Sequence, residues 1–368
     1  MPRRIEEQVI VIIGASSGLG RQTALDLADE GASVVVASRN APALEELATE
    51  LEARGARRAV AHPMDISKTN EVETLVSSTI EQFGRIDTLM VMPGLAIYAP
   101  IEQTTLEEFE RMIDVLLIGY VRAAKAILPV FRRQGYGTLI NVASALGKGA
   151  VPLQGAYTSA KHGVVGFTQT LQMELRGSGI NVCLVLPGSM ATPLQPVHAR
   201  SKTGRVPKAV VPVFHPRRVS KKLVRCAKRP RATIKPDPQS KLFIPLGYVA
   251  SGLISRVLSR FGERMQMTHE PEPTHGRDNI DAPMLTAESA SITGGALTTA
   301  DRISRWTRFH PVRALLFAAL ASASLLVTGR KLAKLQLLPE QLTRNIGKRR
   351  GSNLLRLAKT SSVIRRTS

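Results

Sequence analysis

Val9-Ile10-Val11-Ile12-Ile13-Gly14-Ala15-Ser16-Ser17-Gly18-Leu19-Gly20 is the stretch whose reading decides the fold. Five consecutive β-branched residues without alternation suit a strand buried on both faces, the usual state inside a parallel sheet. Small residues follow, and a helical pattern runs from Leu19 to Glu30. A glycine turn between strand and helix lets backbone amides approach a phosphate at the helix N-terminus, where the helix dipole favours negative charge. Glycine spacing is a weak signal alone, and the strand-to-helix context strengthens it. Pro2-Arg3-Arg4 before the apolar run imitates the start of a secretory leader, but Glu6 and Glu7 interrupt it, so the run reads as the first strand.

Outward from this turn, short β-branched runs alternate with longer helical patterns. Strands are expected at 33–38, 59–62, 88–92, 138–142 and 181–186, and helices at 41–54, 70–83, 106–133 and 156–176. That alternation describes an α/β Rossmann-type fold, a doubly wound parallel sheet with helices on both faces. Residues 216–228 suit a short cationic helix, and Leu246, Val249, Leu253, Val257 and Phe261 recur at helical spacing, closing a first domain over 1–264. Residues 265–300, rich in Pro, Gly, Ser and Thr, read as a flexible linker. A basic helical C-terminal extension is expected over 301–368, holding the uncharged apolar segment 314–329.

Charge divides the chain. Residues 1–198 carry 17 basic and 20 acidic side chains, whereas 199–368 carry 33 and 9. The basic half points to an anionic surface, with membrane lipid the expected partner through 301–368, on the cytoplasmic side of a membrane. The sixteen residues 314–329 would reach about 24 Å as a helix, short of the roughly 30 Å hydrocarbon core, so interfacial contact explains them as well as a span does. Aromatic residues are only 4% of the chain, leaving few rings for stacking bases, and nucleic acid is not expected as a partner. Cys183 and Cys226 have neither paired spacing nor clustered His, so no metal site and no disulfide framework is indicated.

At the end of the second strand, Ala37-Ser38-Arg39-Asn40 lacks the carboxylate that would bind an adenosine ribose in an NAD site, and Arg39 can pair with a 2′-phosphate. NADP is therefore the expected cofactor. Asp65, after the third strand, is placed either to meet the adenine or to cap the next helix. Ser144 follows the fifth strand, and Tyr157 and Lys161, four apart, share one face of the next helix. A phenol near pKa 10 is a poor acid or base unless a cation stabilises its phenolate, and Lys161 can do that. Tyr157 could then exchange a proton with a carbonyl or alcohol oxygen that Ser144 holds in place.

Gly14-x-x-x-Gly18-x-Gly20, Asn141-Val142-Ala143-Ser144, Tyr157-x-x-x-Lys161 and Pro187-Gly188-x-x-x-Thr192 together resemble the short-chain dehydrogenase/reductase family over roughly residues 7–260. The resemblance implies catalytic Ser144, Tyr157 and Lys161. It implies a cofactor held by Gly14, Ser16, Ser17, Gly18, Leu19, Gly20, Ser38, Arg39, Asp65 and Gly94, with Pro187, Gly188 and Thr192 on its nicotinamide side and Tyr157 and Lys161 also in contact. It further implies a small-molecule alcohol or carbonyl substrate and a possible homo-oligomer. Two departures stand out: Val91-Met92-Pro93-Gly94 replaces the usual Asn-Asn-Ala-Gly, and Leu116 stands where the family has a helix Asn serving the proton relay. The expectation is an NADP(H)-dependent oxidoreductase for an apolar alcohol, ketone or aldehyde, its walls including Leu194, Val197 and 210–214. The alternative is a catalytically impaired NADP-binding protein with a binding or regulatory role.

Overall fold

The computed structural model describes residues 4–249, 251–271 and 278–301. In chain order the elements are β1 (Val9–Ile13), α1 (Gly18–Ala28), β2 (Ser33–Ser38), α2 (Ala41–Ala53), β3 (Arg58–Pro63), α3 (Thr69–Phe83), β4 (Thr88–Val91), β5 (Ile97–Tyr98), α4 (Leu106–Ile113) and α5 (Gly119–Gln134). There follow β6 (Gly137–Val142), α6 (Gly155–Glu174), β7 (Ile180–Val185), β8 (Arg200–Ser201), β9 (Arg205–Pro207), α7 (Arg217–Lys228), β10 (Thr233–Ile234), α8 (Pro238–Val249), α9 (Ser251–Gln266), β11 (Met267–Pro271) and α10 (Ala287–Ala290).

Seven strands form one parallel sheet in the order β3-β2-β1-β4-β6-β7-β10. Winding proceeds outward from β1 to β3 and then returns to β4 on the other side, so a switch point lies between β1 and β4. Ligand crevices in such sheets open there, beyond the carboxyl ends of the strands. The two-residue side-chain period of a strand builds a core on each face. Val11 and Ile13 join Leu89, Leu139, Leu75, Tyr120, Ile127 and Phe131 in one, while Ile10 and Ile12 join Val34, Ile140, Leu44, Leu47, Leu51 and Leu223 in the other. This explains why β1 is apolar at every position. Each such aliphatic side chain contributes about 1.5–3 kcal/mol relative to exposure.

Three features differ from the sequence expectation. The helix expected over 106–133 is interrupted at Asp114–Ile118 by a wider π turn, which separates α4 from α5. The periodicity of 246–261 belongs to two helices, α8 and α9, bent by 115°. Within the expected linker, β11 pairs antiparallel with β9, and 278–301 lies against the first domain. Asn279 donates its amide to the His198 carbonyl at 3.0 Å, Thr299 donates to Val213 at 2.8 Å, and Ile280 is fully buried. An irregular chain bonded to distant backbone and side chains leaves no periodicity to read. The expected extension beyond Asp301, including the apolar segment 314–329, lies outside the described residues.

Candidate active site

The β1–α1 turn makes one wall of a cleft at the switch point. Gly14 and Gly18 adopt φ of +90° and +54°, where a side chain is disfavoured. A Cβ on Gly20 would sit 2.0 Å from the Gly14 carbonyl oxygen, so only glycine lets α1 start this close to β1. Ser17 precedes the helix in extended conformation, without a side-chain capping bond to the first-turn amides. The cleft has a volume of about 570 Å³, and its lining includes Gly14, Ser16, Ser17, Gly18, Leu19, Gly20, Ser38, Arg39, Asp65, Gly94, Ser144, Tyr157, Lys161, Pro187, Gly188 and Thr192. All the expected site residues are thereby brought to one cavity. A glycine cradle at one wall and a long cleft ending at a tyrosine and a lysine fit a dinucleotide.

At the chemical end, Ser144 leaves β6 in extended conformation, its oxygen accepting the Leu146 amide at 3.1 Å. Burial raises the Tyr157 phenol above its ordinary value, and the neighbouring Ser144 side chain opposes that shift. Lys161, one helical turn on and fully enclosed, is pushed down to about 7 by desolvation. Its Nζ donates to the Tyr120 hydroxyl at 3.1 Å and to the Val142 carbonyl at 3.3 Å, and the Tyr120 hydroxyl donates to that same carbonyl at 2.6 Å. Both acceptors are uncharged, so neither offsets the loss of water around the ammonium. Leu116 lies fully buried in the π turn, and Val115 beside it lines the cleft.

The end of the cleft at Arg39 and Asp65 is more occupied by the chain itself than the sequence suggested. The Asp65 carboxylate accepts from the Ser67 amide at 2.9 Å and hydroxyl at 2.8 Å, and pairs with Arg111 at 3.1 Å. The helix cap considered for it is instead this local turn, since Lys68 is the residue preceding α3. Arg39 donates through Nη2 to the Asn279 carbonyl at 2.5 Å and through Nη1 to those of Ile280 at 3.3 Å and Asp281 at 3.4 Å. Its burial in the cleft lowers its basicity.

The same cavity has an apolar part of its lining, the apolar chamber, that includes Val151, Leu194, Val210, Leu242, Phe243, Leu246, Leu258 and Met265. Leu194 and 210–212 stand in the expected wall, whereas Val213 packs into a small cluster with Ala191 and Ala209, and Phe214 lies under the Arg218 guanidinium. Val197 packs near Gly294. Tyr98, Gln154 and Gln195 also line the cavity, and sequence reasoning did not find them. Tyr98 is raised by burial, and Gln195 Oε1 is buried without a partner among the described residues. Nothing in the chain's periodicity marks these residues. No His, Cys, Asp or Glu cluster suited to a metal occurs among the described residues.

Comparison with known proteins agrees with this geometry. A family model described as short chain dehydrogenase matches residues 8–202. The uncharacterized oxidoreductase YxnA of Bacillus subtilis (strain 168) is 31% identical over 289 residues, 75% of this chain and 78% of that one. The crystal structure of levodione reductase superposes with a TM-score of 0.55 at 26% identity, covering 64% of this chain and 98% of that one. An alcohol dehydrogenase from the archaeon Thermococcus sibiricus, complexed with 5-hydroxy-NADP, gives a TM-score of 0.55 at 27% identity, covering 62% and 95%. The chain therefore belongs to the short-chain dehydrogenase family of oxidoreductases.

Proposed function

We propose that this protein is an NADP(H)-dependent oxidoreductase that interconverts an apolar alcohol with its ketone or aldehyde. The observation that carries this reading is the meeting of Ser144, Tyr157 and Lys161 in one cavity with the glycine turn and a set of apolar side chains. Arg39 after β2, with no carboxylate at 38–40, favours a 2′-phosphate, and the archaeal structure with 5-hydroxy-NADP is a precedent within the fold. When bound, the nicotinamide supplies or accepts the hydride.

The chain's own residues handle the oxygen. Ser144 Oγ and the Tyr157 hydroxyl, neighbours in the cavity wall, hold the substrate oxygen between them. Burial keeps Tyr157 protonated near neutrality, the form that gives a proton to a carbonyl oxygen as it becomes an alcohol. Lys161, once charged, stabilises the phenolate left behind. The unpartnered Gln195 Oε1 offers an acceptor to a donor group on the substrate.

The second reading, a binding protein with little turnover, draws on Leu116: a buried leucine holds no water for a proton relay. Nucleotide titration and NADPH oxidation over a panel of apolar ketones and aldehydes test both. Tyr157→Phe is expected to cut turnover at least about 100-fold while binding persists, and Arg39→Ala to lower the preference for NADPH over NADH by about tenfold. Tight binding without oxidation of any carbonyl would favour the second reading, and no binding of either nucleotide would overturn both.

A lipid surface is part of the same proposal. Leu253, Val257 and Phe261 form an exposed stripe on α9, Leu242 and Leu246 of α8 are exposed while lining the chamber, and Arg256, Arg260 and Arg264 follow the stripe. An apolar stripe with cations beside it suits an anionic bilayer interface. No single helix among the described residues is long and apolar enough to cross a membrane.

A further inference from the structure

We infer that residues 278–294 are an intramolecular strap bound to the phosphate-recognising groups of the cleft, which a nucleotide must displace in order to bind. The inference rests on the nucleotide-binding reading above. Three carbonyl oxygens, from Asn279, Ile280 and Asp281, surround the Arg39 guanidinium, imitating the three oxygens of a phosphate monoester. The Gly18 amide, at the anion-favouring start of α1, donates to the Ser291 carbonyl at 3.0 Å. One strand of chain thus satisfies a donor at each of the two positions where a dinucleotide would present phosphate.

The strap is fastened rather than draped. Arg200 pairs with Asp278 at 2.8 Å and with Asp281 at 2.7 Å, and Asp281 also places its negative charge near Arg39. Asn40 Nδ2 donates to the Met284 carbonyl at 2.9 Å, and the buried His198 ring meets the Ser289 carbonyl at 3.0 Å. Gly294 closes the run at φ +55°, where a Cβ would lie 2.8 Å from Pro193 Cα. Most of these bonds end on the strap's own backbone carbonyls, which water can take over on release, and the main apolar cost of leaving is the exposure of Ile280, buried against the core on one face of the sheet.

Nucleotide and strap then compete for the same donors, and occupancy is set by their difference in affinity. Apparent NADPH affinity is lowered by the fraction of molecules in which the strap is seated. NADH, lacking the 2′-phosphate, has less to offer Arg39 and releases the strap less completely.

Hydrogen exchange by mass spectrometry on the full chain reads the strap directly, alongside fluorescence titration of NADPH. Saturating NADPH is expected to speed exchange at residues 279–291 by about tenfold, and NADH to do so less. Gly294→Val, which cannot seat, should speed the same amides with no nucleotide present and tighten NADPH binding about fivefold. Arg200→Gln, which cuts both pairs to the strap along with the one to Glu108, should act in the same direction if the valine variant fails to fold. NADPH binding that slows exchange over 279–291 would make the segment a roof over bound nucleotide and overturn the inference. So would unchanged affinity in both variants. Absence of NADPH and NADH binding to wild type and variants alike would overturn the nucleotide reading together with this one, whereas binding without strap release overturns this one alone.

Discussion

Lys161 shows how far one enclosed charge reaches. Its Nζ has exchanged water for the Tyr120 hydroxyl and the Val142 carbonyl, and its proton is lost near pH 7 instead of the ordinary 10.5. Between those values the unfolded chain binds a proton that the folded chain does not, so folded stability rises with pH across the window. The thermal midpoint of the nucleotide-free protein is expected to climb between pH 7 and pH 9 relative to Lys161→Met, whose profile should be flatter. Parallel profiles would mean that Lys161 keeps its charge in the fold. Tyr120, near the start of α5 just after the π turn that holds Leu116, is the side chain that meets Lys161. The Ser144, Tyr157 and Lys161 trio was legible because its spacing follows from helix geometry and chain order. The Tyr120 contact was not, because it depends on how the π turn rotates α5 toward α6.

Among the elements, the β1–α1 turn is the most constrained. A Cβ at Gly20 meets the Gly14 carbonyl oxygen at 2.0 Å, a backbone atom that cannot step aside. Gly20→Ala is expected to cost about 1–3 kcal/mol in overpacking strain and to abolish measurable binding of both nucleotides, with far-UV circular dichroism preserved. Wild-type binding by that variant would show that α1 can shift along its axis and that the close approach is not required. The sheet strands were readable from β1 outward because a parallel sheet covered on both faces leaves continuous β-branched runs. The two-residue strand β10 and the break between α8 and α9 were not, since two residues carry no period and both helices share one apolar spacing. The π turn escaped for a related reason: one wide turn leaves the hydrophobic pattern of 106–133 nearly intact.

The whole molecule sets its apolar chamber beside an exposed apolar stripe, with Leu242 and Leu246 belonging to both the chamber and the exposed surface. Sedimentation with vesicles is expected to recover the protein with anionic bilayers more than with neutral ones. A Leu253→Glu, Val257→Glu double variant should reduce that recovery about tenfold if α9 is the contact. Equal recovery of variant and wild type would leave α9 without a lipid role. Residues 265–300 read as linker because low periodicity cannot separate a free segment from one pinned by distant partners, and Arg39 finds the Ile280 carbonyl across 241 positions of sequence. That separation has a consequence for synthesis on the ribosome. The glycine turn, Arg39, Tyr157 and Lys161 all leave the exit tunnel well before residues 278–294, so the newborn domain can fold with its cleft open. On the strap inference, nucleotide would meet that newborn cleft without a rival, and a seated strap at every later exchange.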